Sequence, residues 1–242
     1  MQLLATTSTV LDTNCFVVAP DTGGDAVVVD PGAGSAGALR ELLDAHELRV
    51  GAVVLTHGHA DHLWDAAEVA GAAPVYLASP DHYRLDDPAA ALGEPLGSMF
   101  TGLAATGWQR PATAAPFPAG CLREGGAELV PGVVVRAVPA PGHTEGSTIL
   151  LVRGDMDAPD VLPELPGAAP AAAAEHLVAF CGDVIFAGSV GRTDLPGGDE
   201  REMAATLRTL VRALPPSTVL LPGHGPGTVL SHELATNPHL RS

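Results

Sequence analysis

The amino-acid sequence predicts an α/β domain, and three observations point to that class. Short apolar runs rich in Val, Leu and Ala recur along the 242 residues and are divided by Gly/Pro-rich turns, the pattern of buried strands. Helical spacing also occurs, most clearly in 199–213, where Met203, Leu207, Leu210, Val211 and the following Leu214 fall on one face. Polar clusters containing His and Asp stand at the carboxyl ends of strands, where the loops of strand-and-helix domains converge on sites.

Taken in order, residues 2–10 and 14–19 read as a hairpin, and 26–30 as a strand broken by Pro31-Gly32. Ser35 is placed to cap a helix over about 36–46. The apolar run 50–55 reads as a buried strand, the turn Thr56-His57-Gly58-His59-Ala60-Asp61-His62 follows, and 63–70 reads as a helix. Residues 73–77 give a short strand; His82, far from other ligand-capable groups, reads as a surface residue. The stretch 85–118 lacks periodicity and reads as an ordered excursion pinned by Met99, Phe100, Trp108 and Phe117.

Strands return at 127–130, 133–138, 148–152 and 176–181. Between the last two, 154–174 is acidic and then Ala/Pro-rich, a low-complexity loop insertion with no reason to pack. The sequence closes with a Gly-rich loop over 189–198, the helix 199–213, a strand at 219–221 and a short helix near 228–235. A single domain over 1–242 is the expected organisation.

Chemistry concentrates in four clusters: 56–62, 141–147, 182–183 and 222–225. Imidazole and carboxylate are the ligands that borderline divalent metals prefer. Together the clusters offer His57, His59, Asp61, His62, His143, Asp183 and His224, seven ligands that suit two cations sharing one carboxylate. A lone His in the first turn would favour a solvated turn or helix cap; three with an Asp do not. Asp30 either steadies a histidine N–H or simply begins the turn before Pro31-Gly32.

Composition excludes several partners. The net charge of −16, with all 12 basic residues Arg, argues against nucleic acid and against an anionic membrane surface. Three cysteines without a CxxC pair suggest reduced thiols, and the amino terminus lacks a signal-peptide pattern, so a cytoplasmic location is expected. No run approaches the ~18 apolar residues of a membrane span.

The motifs HxHxDH at 57–62, PGHT at 141–144, GD at 182–183 and PGHG at 222–225, in that order, resemble the metallo-β-lactamase superfamily across nearly the whole chain. The resemblance implies a four-layer αββα sandwich of two mixed β-sheets. It also implies that His57, His59 and His143 hold one metal, that Asp61, His62 and His224 hold the second, and that Asp183 bridges. Thr13-Asn14-Cys15, 182–194 and Gly223-His224-Gly225-Pro226 with Asn237-Pro238 are most similar to glyoxalase II, hydroxyacylglutathione hydrolase, of the short bacterial type. The long type has an extra C-terminal helical region for glutathione, and this sequence ends about where that would begin, so the thiol carrier is open.

The implied chemistry is hydrolysis of a small-molecule thioester, of the S-lactoylglutathione type, by a hydroxide bridging two divalent cations, with zinc expected and iron or manganese as alternatives. Asp61 and Asp183 are the catalytic candidates, one orienting the hydroxide and the other bridging; Gly142 and Gly223 are expected to let backbone approach the metals. Cys181 reads as a small buried thiol. Arg192 contacts an acidic part of the substrate or ties its own loop. The first rival is a non-haem iron persulfide dioxygenase using His57, His143 and Asp183; a nuclease is disfavoured by the net charge, and a β-lactamase by the His62, Asp183 and His224 combination and the missing export pattern. From another class comes a non-catalytic metal-binding protein, which the open, cysteine-free ligand set disfavours. Oligomeric state is not legible.

Overall fold

A computed structural model describes residues 1–158, 161, 165 and 175–240. Strands β1 (Gln2–Thr7), β2 (Asn14–Ala19), β3 (Gly24–Val29), β4 (Leu48–Val54), β5 (Val75–Tyr76) and β6 (Ala114–Ala115) form one sheet in sequence order. The first three pair antiparallel and the rest parallel, so the sheet is mixed. Strands β7 (Ala127–Val130), β8 (Val133–Pro139), β9 (Thr148–Gly154), β10 (His176–Gly182), β11 (Ile185–Phe186), β12 (Ser189–Val190), β13 (Val219–Pro222) and β14 (Thr228–Val229) follow. The second sheet has the order β14-β13-β10-β9-β8-β7 and is also mixed, its one parallel pair being β10 with β13. Strands β11 and β12 make a separate hairpin.

Helices are α1 (Ala36–Ala45), α2 (Ala60–Leu63), α3 (Ala66–Ala70), α4 (Pro88–Ala91), α5 (Leu96–Leu103), α6 (Glu200–Ala213) and α7 (Leu230–Thr236), with a 3-10 segment at Ser79–Leu85. The side-chain alternation of strands explains the layers. In β2, Phe16 and Val18 enter the core between the sheets, where they join Val135, Leu150, Val178 and Phe180. Their neighbours Cys15, Val17 and Ala19 face the other way, onto Leu39 and Leu43 of α1 and Ala66 and Ala70 of α3. Strands β9 and β10 divide likewise: Ile149, Leu151, Ala179 and Cys181 pack under Met203, Leu207 and Leu210 of α6 and Leu230 of α7. Strands buried on both faces read as continuous apolar runs, and the result is the four-layer αββα sandwich.

Several local expectations are corrected. Ser35 precedes α1 without a side-chain cap; the Ala36 N–H donates instead to Asp65 Oδ2 at 3.0 Å. The helix expected at 63–70 is two short ones, α2 and α3, and begins earlier, so Asp61 and His62 are helical. The break falls where the Asp65 N–H turns to the Pro31 carbonyl, 3.1 Å away. The excursion 85–118 contains α4 and α5; Trp64 packs on Phe100 and Trp108, while Met99 is 59% exposed and anchors nothing. His82 is half-buried, with Nε2 2.9 Å from the Leu77 carbonyl oxygen.

Within 154–174 the described residues do pack: Met156, Ala158 and Leu165 are buried in the inter-sheet core. Asp157 also pairs its backbone with Met1 and Leu3, which covers part of the β1 edge. The averaged composition of the stretch hides these few apolar side chains. The remaining positions, 159–160, 162–164 and 166–174, lie outside the described residues. No helix among the described residues is long and apolar enough to cross a membrane.

Candidate metal centre

The four clusters meet at one edge of the two sheets. The loop after β4 carries His57 and His59 and runs into α2 with Asp61 and His62. His143 follows β8, Asp183 follows β10, and His224 follows β13. All seven side chains predicted from the sequence are brought together. Their donor atoms form three groups, His57/His59/His143, His57/His62/Asp183 and Asp61/His62/His224, each within 4.8 Å.

Distances define two halves with Asp183 between them. His57 Nε2 and His143 Nε2 lie 3.1 and 2.9 Å from His59 Nδ1. On the other side, His224 Nε2 is 3.2 Å and His62 Nε2 3.6 Å from Asp61 Oδ2. Asp183 presents Oδ1 at 3.4 Å from His62 Nε2, and Oδ2 at 3.6 Å from His143 Nε2 and 3.7 Å from His224 Nε2. Gly223 is required for this closeness, since a Cβ there would stand 2.3 Å from Asp183 Oδ1 and 2.5 Å from His62 Cε1. Gly142 behaves otherwise than expected: its missing Cβ makes room for the Met203 backbone of α6, at 2.4 Å, and not for the cluster.

The ring nitrogens facing away from the centre are mostly tied down. The His143 Nδ1–H donates to the Arg192 carbonyl at 2.8 Å, and the His224 Nδ1–H to the Leu11 carbonyl at 3.0 Å. The His62 Nδ1–H donates to Asp30 Oδ2 at 2.9 Å. Thr56 Oγ1–H donates to the same Asp30 oxygen at 2.6 Å; the hydroxyl oxygen is thereby free to accept from the His57 Nδ1–H, 3.1 Å away. These bonds set the tautomers that leave the inward lone pairs unprotonated, an arrangement characteristic of metal-binding histidines. Asp30 therefore supports His62, and its φ of +49° turns the chain there as well, so both of its candidate roles are present.

Electrostatics divide along the same line. Burial, followed by the neighbouring imidazoles, holds His57 well below the ordinary histidine value; burial also takes His59 to about 3 and lowers His143. Burial acts in the same sense on His62 and His224, but Asp61 and Asp183 overcome it and raise both. The two carboxylates are themselves held low, because the surrounding histidines outweigh the burial that would raise them. His59 Nε2, His62 Nε2 and Asp183 Oδ1 are buried with no hydrogen-bond partner. The inward-facing ring nitrogens, the orphaned His62 Nε2 and Asp183 Oδ1, and two ionised carboxylates set among five imidazoles fit a pair of divalent cations.

Other sequence features resolve plainly. Arg192 pairs with Asp194 at 2.7 and 2.8 Å and both side chains are exposed, so the guanidinium ties its own loop. Cys181 is fully buried with its thiol pushed up to about 12 by burial, and Cys15 is pushed up to about 11; neither is a nucleophile at neutral pH. Asn14, marked in the sequence by resemblance alone, has a bonding role that the fold defines. Its Nδ2 donates to the Pro222 and Gly225 carbonyls at 3.0 and 2.8 Å, and so holds the loop of His224. Asn237 does the same for the β11–β12 hairpin through the Ser189 carbonyl at 3.0 Å. The resemblance marked both positions in the sequence, but which carbonyls their amides hold is decided only in the folded chain.

A four-layer αββα body with a His/Asp cluster at the ends of its strands defines a class. A sequence profile of the metallo-beta-lactamase superfamily matches residues 8–155, and the chain belongs to that superfamily. An uncharacterised protein of Mycobacterium tuberculosis is 34% identical over 233 residues, covering 94% of this chain and 92% of the relative. The hydroxyacylglutathione hydrolase GloC of Haemophilus influenzae is 28% identical over 241 residues, 97% of this chain and 95% of its own. Among solved structures, the BLEG-1 B3 metallo-beta-lactamase superposes with a TM-score of 0.74 at 29% identity, covering 99% of this chain and all of that one. The protein TTHA1623 in a di-iron-bound form has a TM-score of 0.69 at 32% identity, covering 97% of this chain and 98% of its own.

Proposed function

We infer that the chain is a binuclear metallohydrolase of thioesters of the hydroxyacyl-thiol type, with S-lactoylglutathione as the first substrate to try and the cytoplasm as its compartment. The observation that carries the reading is the convergence of seven donors into three overlapping groups, with Asp183 between the two halves. The substrate class draws on the likeness to the hydroxyacylglutathione hydrolase along almost the full length of both chains.

His57, His59 and His143 would hold one cation; Asp61, His62 and His224 would hold the second, with Asp183 between. Zinc suits this donor set, and iron has a precedent in the di-iron relative. Divalent cations so held lower the pKa of water toward neutrality and polarise an acyl oxygen. The chain's own groups supply the rest. Asp61, kept ionised by its histidine neighbours, accepts a hydrogen bond from the attacking water and orients it. The side chains of Asp61, Asp183 and His224 are 12%, 13% and 29% exposed while the other four histidines are buried, so substrate approaches from their side. A thiolate leaves without a dedicated general acid, since thiols ionise near pH 8.5.

The test is metal analysis of the purified protein beside a thioester panel followed by loss of thioester ultraviolet absorbance. Two cations per chain and turnover of a hydroxyacyl thioester are expected, and Asp183→Ala should lose both turnover and metal. Retention of full metal content and activity by that variant would remove its bridging role. A second reading, β-lactam hydrolysis, draws on the likeness to BLEG-1 and is read by a β-lactam arm of the same panel. Oxygen uptake with glutathione persulfide, and no thioester loss, would instead point to a dioxygenase.

A further inference from the structure

The 3-10 segment Ser79–Leu85 carries a buried ion pair that no motif marks. Asp81 and Arg84 are both fully buried, with Arg84 Nε 3.5 Å from Asp81 Oδ1. The Asp81 carboxylate accepts three hydrogen bonds, and every donor belongs to a histidine-bearing loop. Gly58 N–H donates to Oδ2 at 2.7 Å, Thr144 Oγ1–H to the same oxygen at 2.7 Å, and Gly146 N–H to Oδ1 at 2.8 Å. Gly58 lies between His57 and His59; Thr144 follows His143 directly. The two glycines allow the carboxylate in, because a Cβ on either would stand 3.1 or 2.6 Å from the Asp81 side chain.

Arg84 extends the node to a third loop. Its Nη2 donates to Glu145 Oε2 and to the Pro196 carbonyl, each at 2.7 Å. That loop also contains Arg192, whose carbonyl holds His143. His59 has the greatest need of such an anchor. The rings of His57, His62, His143 and His224 are each steadied by a bond to the far nitrogen, whereas His59 Nε2 has no partner. Its ring is aimed by its backbone, and the peptide N–H immediately before it is the one Asp81 grips.

We propose that Asp81 is a positioning residue for the His57/His59/His143 trio: its buried carboxylate locks the loop of His57 and His59 to the loop of His143, and so sets the spacing at which the three imidazoles meet a cation. The proposal rests on the metal-binding reading above. A carboxylate with three donors, two of them backbone N–H groups from separate loops, holds position as a charge-assisted network does. An amide in its place offers one acceptor oxygen and turns an NH2 toward an N–H or hydroxyl donor.

The experiment is a cobalt(II) titration, read by calorimetry and by the visible absorption of the bound ion, in two backgrounds. His224→Ala leaves the trio as the intact cluster, and His59→Ala leaves the Asp61/His62/His224 cluster. Adding Asp81→Asn should weaken cobalt binding to the trio by about tenfold or more, the usual cost of removing a ligand-orienting partner, and leave the other cluster within about twofold. Thr144→Val removes one of the three bonds while keeping the side chain's shape, and should weaken the trio alone by about threefold. Unchanged trio affinity in both variants overturns the proposal, as does an equal loss at both clusters, which marks general damage. A wild-type chain that takes up no cobalt overturns the metal-binding reading itself.

Discussion

At the scale of single residues, Asp30 shows how much of the centre depends on side chains that touch no cation. Its carboxylate accepts from the Thr56 N–H at 2.8 Å, the Thr56 hydroxyl at 2.6 Å and the His62 Nδ1–H at 2.9 Å, and it is buried. Through Thr56 it also decides which nitrogen of His57 keeps its proton. One group thus sets two rings, one in each half of the centre. Asp30→Asn keeps the shape but sets an NH2 against at least one of these donors, and an unsatisfied buried donor costs about 1–3 kcal/mol. The expected result is a 10- to 100-fold loss of turnover with metal affinity reduced, measured by thioester kinetics at saturating metal and by titration of the metal-free protein. Wild-type kinetics and affinity would show that Asp30 merely turns the chain.

At the scale of elements, α6 braces the His143 loop from outside. Asp199 accepts from the Arg201 and Glu202 N–H groups at its amino terminus, at 2.7 and 2.9 Å, while the Asp199 N–H donates to the Gly142 carbonyl at 2.9 Å. Thr206 Oγ1–H donates to the Pro141 carbonyl at 2.7 Å, two turns further on. Asp199→Ala removes the cap but not the backbone bond, so it should lower unfolding free energy by about 1 kcal/mol with the denaturant slope unchanged, measured in urea. The helix and its register were legible because five apolar residues repeat at its period. Central strands such as β2, β3 and β9 were legible because both faces are buried, which makes them unbroken runs. The seven donors were legible because ligand chemistry confines them to His and Asp in short, repeated motifs. Asp81 was not, because a buried Asp and a surface Asp look alike until the chain is folded, and its three donors come from positions 58, 144 and 146. The packing of Met156 and Leu165 was hidden for a related reason: composition averages over a segment, and burial is decided side chain by side chain.

At the scale of the whole molecule, the centre sits where two sheets, contributed by the two halves of the sequence, share one edge. His57, His59, Asp61 and His62 follow β4 of the first sheet; His143, Asp183 and His224 follow β8, β10 and β13 of the second. A cation held by the trio, or shared through Asp183 as proposed, would therefore join both sheets, and its binding energy would be folding energy, because the unfolded chain has no such cluster. For each site filled at a thousand times its dissociation constant, the folded state gains about 4 kcal/mol. For a chain of this size that corresponds to a melting temperature roughly 8–16 °C higher. Stripping the metal with a chelator should lower the melting temperature by at least that interval, and two equivalents of zinc after the chelator is removed should restore most of it. The coupling also predicts where the loss is felt. Hydrogen exchange should quicken first in the loops after β4 and β8, while the N–H groups of β2 and β10, paired deep in each sheet, keep their protection. A melting temperature indifferent to the chelator, with metal analysis confirming removal, would mean that the sandwich core alone sets stability and that the centre is carried on a frame already complete without it.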